Sequence, residues 1–236
     1  LVPLWVKYKI SGTLALYPRI PQEGDETLRD MITARTLYID RILNRAASDM
    51  EQFVLIGAGY DSRAYLCSEK HGMKCFELDR PGTLRLKTDA LNKAGIESSH
   101  VRFIPVDFER ENAFDKLARE GWDPSRKTLF LVEGVTLYLE EETVRTTLRD
   151  IAERAAPGSV LTLDIYAQKM IDDLGRAERI LEYTNEALSF GLPMETGFEG
   201  VLTDFVESEG LRLGETFFLG RTHRTGPYAV VAEVLV

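Results

Sequence analysis

Five short apolar runs, at 53–56, 75–78, 101–106, 129–132 and 160–163, constrain this chain more than any other feature. Each is nearly continuous in Val, Ile, Leu and Phe and lacks the polar alternation of a strand with one wet face. Runs of this kind are buried on both sides, as in parallel strands whose sheet is covered by helices on both faces. Helical periodicity fills the intervals near 61–70, 81–94, 110–119 and 140–156; the second opens on Pro81 and the fourth stops before Pro157-Gly158. Strand and helix alternate, so the expected fold is α/β, a doubly wound sheet. Near the C-terminus, 211–219 and 228–236 flank a turn at 220–227 and predict a hairpin at the sheet edge.

The 236 residues suit one domain. Its expected parts are an N-terminal helical segment (1–50), a cofactor-binding core (51–165), a helical lid (166–200) and a C-terminal helix with the hairpin (201–236). With 29 basic and 38 acidic residues and a net charge of −9, the chain lacks the positive excess that nucleic acid selects. Cys67 and Cys75 form neither a disulfide framework nor a metal-ligand spacing, so a reducing cytoplasm is the expected setting and no metal is expected. No apolar stretch approaches the roughly 18 residues of a membrane span, and residues 1–16 lack the features of a signal peptide. The chain begins at Leu1, so further residues are expected upstream.

The five strands are expected to finish at Gly57, Asp79, Asp107, Glu133 and Asp164, and open α/β sheets bind ligands beyond the carboxyl ends of their strands. Gly57, Ala58 and Gly59 turn the chain with little side-chain bulk, so a ligand can lie on the backbone, and Asp79, with Arg80 beside it, can hold ribose hydroxyls. A nucleoside cofactor is implied. A dinucleotide fingerprint would place a third glycine where Ser62 stands, and a pyrophosphate would face Asp61 with only Arg63 to offset it. A cationic adenosine ligand without phosphate, such as S-adenosylmethionine, fits the acids better, because four clustered carboxylates need positive charge among them. Two alternatives remain: Asp79 and Asp107 as caps of the helices that follow, and a nicotinamide cofactor.

Upstream, Leu28, Met31, Ile32, Ile39, Ile42 and Leu43 recur at helical spacing, and Arg35 shares their face. A buried guanidinium needs a carboxylate. That partner is either the cofactor's own carboxylate or an internal acid such as Asp61 or Glu133, unless Arg35 reaches out to water.

Arg35 in Ala-Arg-Thr-Leu-Tyr-Ile-Asp, Gly57-Ala-Gly-Tyr-Asp-Ser-Arg63, Phe76-Glu-Leu-Asp-Arg-Pro81, Val106-Asp-Phe108 and Glu133-Gly-Val-Thr-Leu-Tyr-Leu139 together resemble the leucine carboxyl methyltransferase-like family, over roughly residues 30–165. The resemblance implies a class I methyltransferase fold with seven strands and an antiparallel last strand, and S-adenosylmethionine as methyl donor. It implies that Arg35 takes the donor's carboxylate, Gly57 and Gly59 its methionine backbone and Asp79 its ribose. Asp107 would meet the adenine amino group, the Phe108 backbone the ring, and Glu133 the ammonium. Acceptors in the family range from a peptide's C-terminal leucine to small polyketide-like molecules, and the segment after 165 carries no signature that chooses between them.

Met170, Ile171, Leu174, Leu181 and Leu188 keep a helical stripe, followed by a flexible loop at 191–197. This segment is expected either as a lid, with Tyr166, Met170 and Phe190 lining the acceptor pocket, or as an ordinary core-facing helix. Methyl transfer to a carboxylate needs no base; transfer to a hydroxyl needs one, and Glu133, Tyr138, Asp164 and His223 are the candidates. Glu133 and Tyr138 are the expected catalytic residues. His71 and His100 fall at the opposite edge of the sheet. A non-catalytic binding or interaction domain is the remaining alternative.

Overall fold

The computed structural model describes residues 28–172, 187–194, 198–220 and 226–236. Helix α1 (Leu28–Ala46) leads through a single 3-10 turn into β1 (Gln52–Ile56). There follow α2 (Arg63–His71), β2 (Lys74–Asp79), α3 (Pro81–Ala94), β3 (Val101–Pro105), α4 (Ala113–Arg119), β4 (Thr128–Val132), a 3-10 turn at Thr136–Tyr138 and α5 (Glu141–Arg154). Then come β5 (Val160–Tyr166), the short α6 (Gln168–Asp172), α7 (Phe198–Glu207), β6 (Arg212–Leu219) and β7 (Ala229–Leu235).

Local chemistry explains the helix ends. Pro81 opens α3, where its missing N–H costs nothing, and Gly95 closes it at φ +66°, a conformation that glycine adopts without strain. Helix α4 starts three residues later than its pattern suggests, because the Asn112 side chain accepts the Asp115 N–H at 2.8 Å and caps it there.

The seven strands lie in the order β3-β2-β1-β4-β5-β7-β6, with β1 to β5 parallel and β7 antiparallel to both its neighbours. The expected hairpin forms, but β7 slips between β5 and β6, so β6 is the edge. Ile56 of β1 is level with Leu78 of β2 and Val132 of β4. The strand order reverses at β1, and a crevice opens there above the strand ends.

Alternate residues of each strand feed two cores, one on each face. Val54, Ile56, Phe76, Leu78, Phe130 and Val132 pack with α4, α5 and α7. Phe53, Leu55, Leu129 and Leu131 pack with α1 and α2 through Tyr38, Ile39, Ile42, Ala64 and Cys67. This is why the strands read as continuous apolar runs. β5 runs to Tyr166, past its expected end, so Asp164 lies inside the strand and is fully buried. Residues 1–27, and 173–186 and 195–197 of the expected lid, lie outside the described residues.

Candidate active site

The turn after β1 is built for close approach. Gly57 has φ +72°, and a Cβ there would stand 2.1 Å from Val135 Cγ2. Gly59 has φ +46°, but nothing lies within 4 Å of where its Cβ would be, so that side of the turn is open. The Gly57 and Ala58 N–H groups donate to the Leu78 carbonyl at 2.8 and 3.0 Å, tying the turn to β2. Gly59 N–H then donates to the Asp79 carboxylate at 2.6 Å, and Arg80 N–H donates to its other oxygen at 2.6 Å.

Asp61 does not face outward. It is buried at the head of α2, where it accepts the Arg63 N–H at 2.9 Å and pairs with the Arg63 guanidinium. An anion thus already occupies this helix N-terminus, the place a phosphate would use. Lys87 of α3 holds the turn from below: its Nζ donates to the Asp61 carbonyl at 2.6 Å and pairs with Glu77 at 2.5 Å. Glu77 is fully buried in mid-strand, and burial pushes its carboxyl up to about 7 against the pull of Lys87.

Beside the turn lies a buried ion network. Arg35 of α1 donates from Nη1 to Asp164 at 3.1 Å and to the Tyr166 hydroxyl, and its Nη2 pairs with Glu133 at 3.1 Å. Arg63 donates from Nε to Asp40 and from Nη1 to both Asp61 and Glu133. Thr36 Oγ1 donates weakly to Glu133 at 3.4 Å. Two guanidiniums therefore face Asp40, Asp61, Glu133 and Asp164, an excess of carboxylate. Burial raises the carboxyl pKa of Asp40 and Asp164, with Arg63 and Arg35 respectively opposing it. Two guanidinium nitrogens, Arg35 Nε and Arg63 Nη2, are shielded from water with no acceptor among the described residues.

Arg35 thus finds internal partners, Glu133 among them as anticipated, with Asp164 in place of Asp61. The four strand-end acids divide. Glu133 and Asp164 are neutralised by arginine, whereas Asp79 and Asp107 stay partly open to the crevice. The capping alternative fails for both open acids. Arg80 stands at the cap of α3 with no side-chain bond, and Asn112 caps α4. Asp107 instead accepts the Glu109 N–H at 3.2 Å, while Phe108 packs half-buried against the core.

Tyr166, Met170 and Phe190 do not come together as one pocket wall. Tyr166 and Met170 belong to the core on the α1 side, and Phe190 is buried on the opposite face, stacked on Phe205 at 5.3 Å. Tyr138 is half-buried against the α1-side core. His223 lies outside the described residues; His71 ends α2 at the far edge, and His100 meets the Tyr65 ring edge-on at 5.6 Å. A cavity of about 470 Å³ between α2 and α3 shares Asp61 and Ser62 with the turn but touches neither Asp79 nor Asp107, so it neighbours the crevice without being it.

Asp40, Glu77 and Lys87 were given no role from the sequence, although Asp40 and Glu77 stand within the quoted motifs and Glu77 is a charge in the middle of an apolar strand. Among the described residues, no group of three or more His, Cys, Asp or Glu could hold a metal, and no helix is long and apolar enough to cross a membrane.

The chain resembles known proteins over most of its length. A Bacillus subtilis protein is 28% identical over 186 residues, 77% of this chain and 61% of its own length. A Mycolicibacterium gilvum protein is 30% identical over 209 residues, 86% of this chain and 67% of its own. Both are assigned by name to the S-adenosyl-L-methionine-dependent methyltransferases. The chain thus spans about three fifths to two thirds of these relatives. Among solved structures, a Mesorhizobium loti S-adenosylmethionine-dependent methyltransferase superposes with a TM-score of 0.61 at 12% identity, covering 87% of this chain and 100% of that one, which shows the shared fold. The sequence pattern of leucine carboxyl methyltransferases matches residues 13–152, more than half of the chain, and the chain belongs to that family.

Proposed function

We propose that this chain binds S-adenosylmethionine in the crevice above β1, β2 and β4 and transfers its methyl group to an oxygen of a small-molecule or peptide acceptor. The observation that carries the reading is a pair of shielded nitrogens, Arg35 Nε and Arg63 Nη2, with no acceptor among the described residues and set within a surplus of carboxylates. A buried donor without a partner is costly, and an amino acid's carboxylate is the kind of acceptor that such a donor lacks. The surplus negative charge suits an ammonium and a sulfonium. No phosphate is invited, because Asp61 already sits at the α2 N-terminus.

Bound S-adenosylmethionine supplies a methyl group already activated by its sulfonium, so the chain's task is binding and alignment. Gly57, Ala58 and Gly59 offer backbone to the amino acid end, with Asp61 and Arg63 holding the turn in place. Asp79, with Arg80 behind it, receives the ribose hydroxyls, and Asp107 and Phe108 receive the adenine. Glu133 has both oxygens engaged by guanidiniums and is better suited to receive an ammonium than to take a proton. Asp164, with its oxygens taken by Gly134, Arg35 and Tyr166, is likewise no base. Tyr138 is left to orient the acceptor, and a carboxylate acceptor would attack without a base.

Calorimetry with S-adenosylhomocysteine and with NAD tests the binding site. Tight binding of the first and none of the second is expected; the reverse would restore the nicotinamide alternative. Mass spectrometry of acid and phenol panels with isotope-labelled donor then tests transfer to oxygen. Cofactor binding with no labelled product would support a non-catalytic binding domain.

A further inference from the structure

We infer that Tyr166 and Asp164 are positioning residues that aim Arg35 at the amino acid end of the cofactor, an inference that rests on the proposed S-adenosylmethionine site. The arrangement follows from strand geometry. Residues two apart on a strand share a face, so Asp164 and Tyr166 both turn from β5 toward α1, which carries Arg35. β5 is held on both sides, by β4 and by β7, where Asp164 pairs with Val231 and Tyr166 with Ala229.

Each group in the cluster has a defined role. The Gly134 N–H donates to both Asp164 oxygens, at 2.8 and 3.0 Å. The Tyr166 hydroxyl donates to Asp164 Oδ2 at 3.0 Å, which leaves its lone pairs to accept from Arg35 Nη1. Arg35 Nη1 also reaches Asp164, and Nη2 reaches Glu133. A planar guanidinium held at both Nη ends has no rotation left, so the direction of its Nε N–H is set. That nitrogen has no acceptor among the described residues. Gly134, whose N–H holds Asp164, adopts φ +68°, a conformation that favours glycine.

Tyr166 therefore acts through Arg35 and not as a wall of the acceptor pocket. Tyr166→Phe removes one hydroxyl and keeps the ring in the core. The test compares S-adenosylhomocysteine with 5′-methylthioadenosine, which shares its adenosine and thioether but lacks the amino acid. Tyr166→Phe is expected to weaken S-adenosylhomocysteine by about tenfold and to leave 5′-methylthioadenosine unchanged, as for a hydrogen bond to a charged group. In an Arg35→Gln background the same substitution is expected to have no further effect, since its route is gone. Equal weakening of both ligands, an unchanged S-adenosylhomocysteine affinity, or an undiminished effect in the Arg35→Gln background would each overturn the positioning role. Failure of the unmodified protein to bind either ligand would instead overturn the cofactor site itself.

Discussion

The Gly59 N–H donates to the Asp79 carboxylate at 2.6 Å, so the turn after β1 and the acid that ends β2 form one unit. The remaining lone pairs of Asp79, which is partly open to the crevice, are where ribose hydroxyls would bind. Asp79→Ala is expected to weaken S-adenosylhomocysteine and 5′-methylthioadenosine alike, by about ten- to a hundredfold, because both carry the ribose. Calorimetry on the two ligands checks this, and a loss confined to one of them would contradict it.

The two glycines of the turn should separate experimentally. Gly57→Ala brings a Cβ to 2.1 Å from Val135 and imposes φ +72° on an L-residue, so a loss of stability of about 2–4 kcal/mol is expected. Gly59→Ala meets no neighbour and carries only the conformational cost, about 1–2 kcal/mol, while its methyl group stands on the open side of the turn. Denaturation should therefore rank Gly57→Ala as the less stable variant, and cofactor affinity should fall in Gly59→Ala without comparable unfolding.

The Lys87–Glu77 pair gives stability a pH dependence. Burial raises the Glu77 carboxyl in the folded chain from 4.5 to about 7. The folded state therefore holds the proton more tightly, and this contribution to stability is complete below about pH 4.5 and is lost as pH rises through about 7. The full change is on the order of 3 kcal/mol. Asp40 and Asp164, also raised by burial, contribute with the same sign. Urea denaturation across that range should show a shallower decline in the Glu77→Leu/Lys87→Met double variant than in the unmodified chain. Lys87→Met alone should cost more than the double change, because it strands a buried carboxylate.

Phe190 separates a lid from a core. Stacked on Phe205 and buried, it should behave as a packing residue. Phe190→Ala is expected to cost about 3–5 kcal/mol of stability. Met170, half-buried at the edge of the opposite core, should cost less when truncated. A fold as stable as the parent with only the acceptor KM altered would return Phe190 to the acceptor pocket.

Much of the fold was legible because both faces of the sheet are covered. Continuous apolar runs mark buried parallel strands, and the α3 pattern, opened by Pro81, matches the observed helix residue for residue. The insertion of β7 between β5 and β6 was not legible, since nothing local to a hairpin says which of its strands will meet the sheet. The positions of Gly57, Gly59, Asp79 and Asp107 at or just beyond strand ends could be read from the sequence. Asp164 was expected to end its strand because the apolar run stops at 163, although β5 continues to Tyr166.

By itself the sequence determined the order of strands and helices, the glycine turn and the acids at the strand ends, because each depends on the period of one element or on backbone freedom at one residue. Only the tertiary structure decided which charges neutralise one another. Arg35 of α1, Arg63 of α2, Glu133 after β4 and Asp164 of β5 come from four separate elements. Their pairing depends on how those elements pack and on which carboxylates lose water first, and neither is written in local spacing.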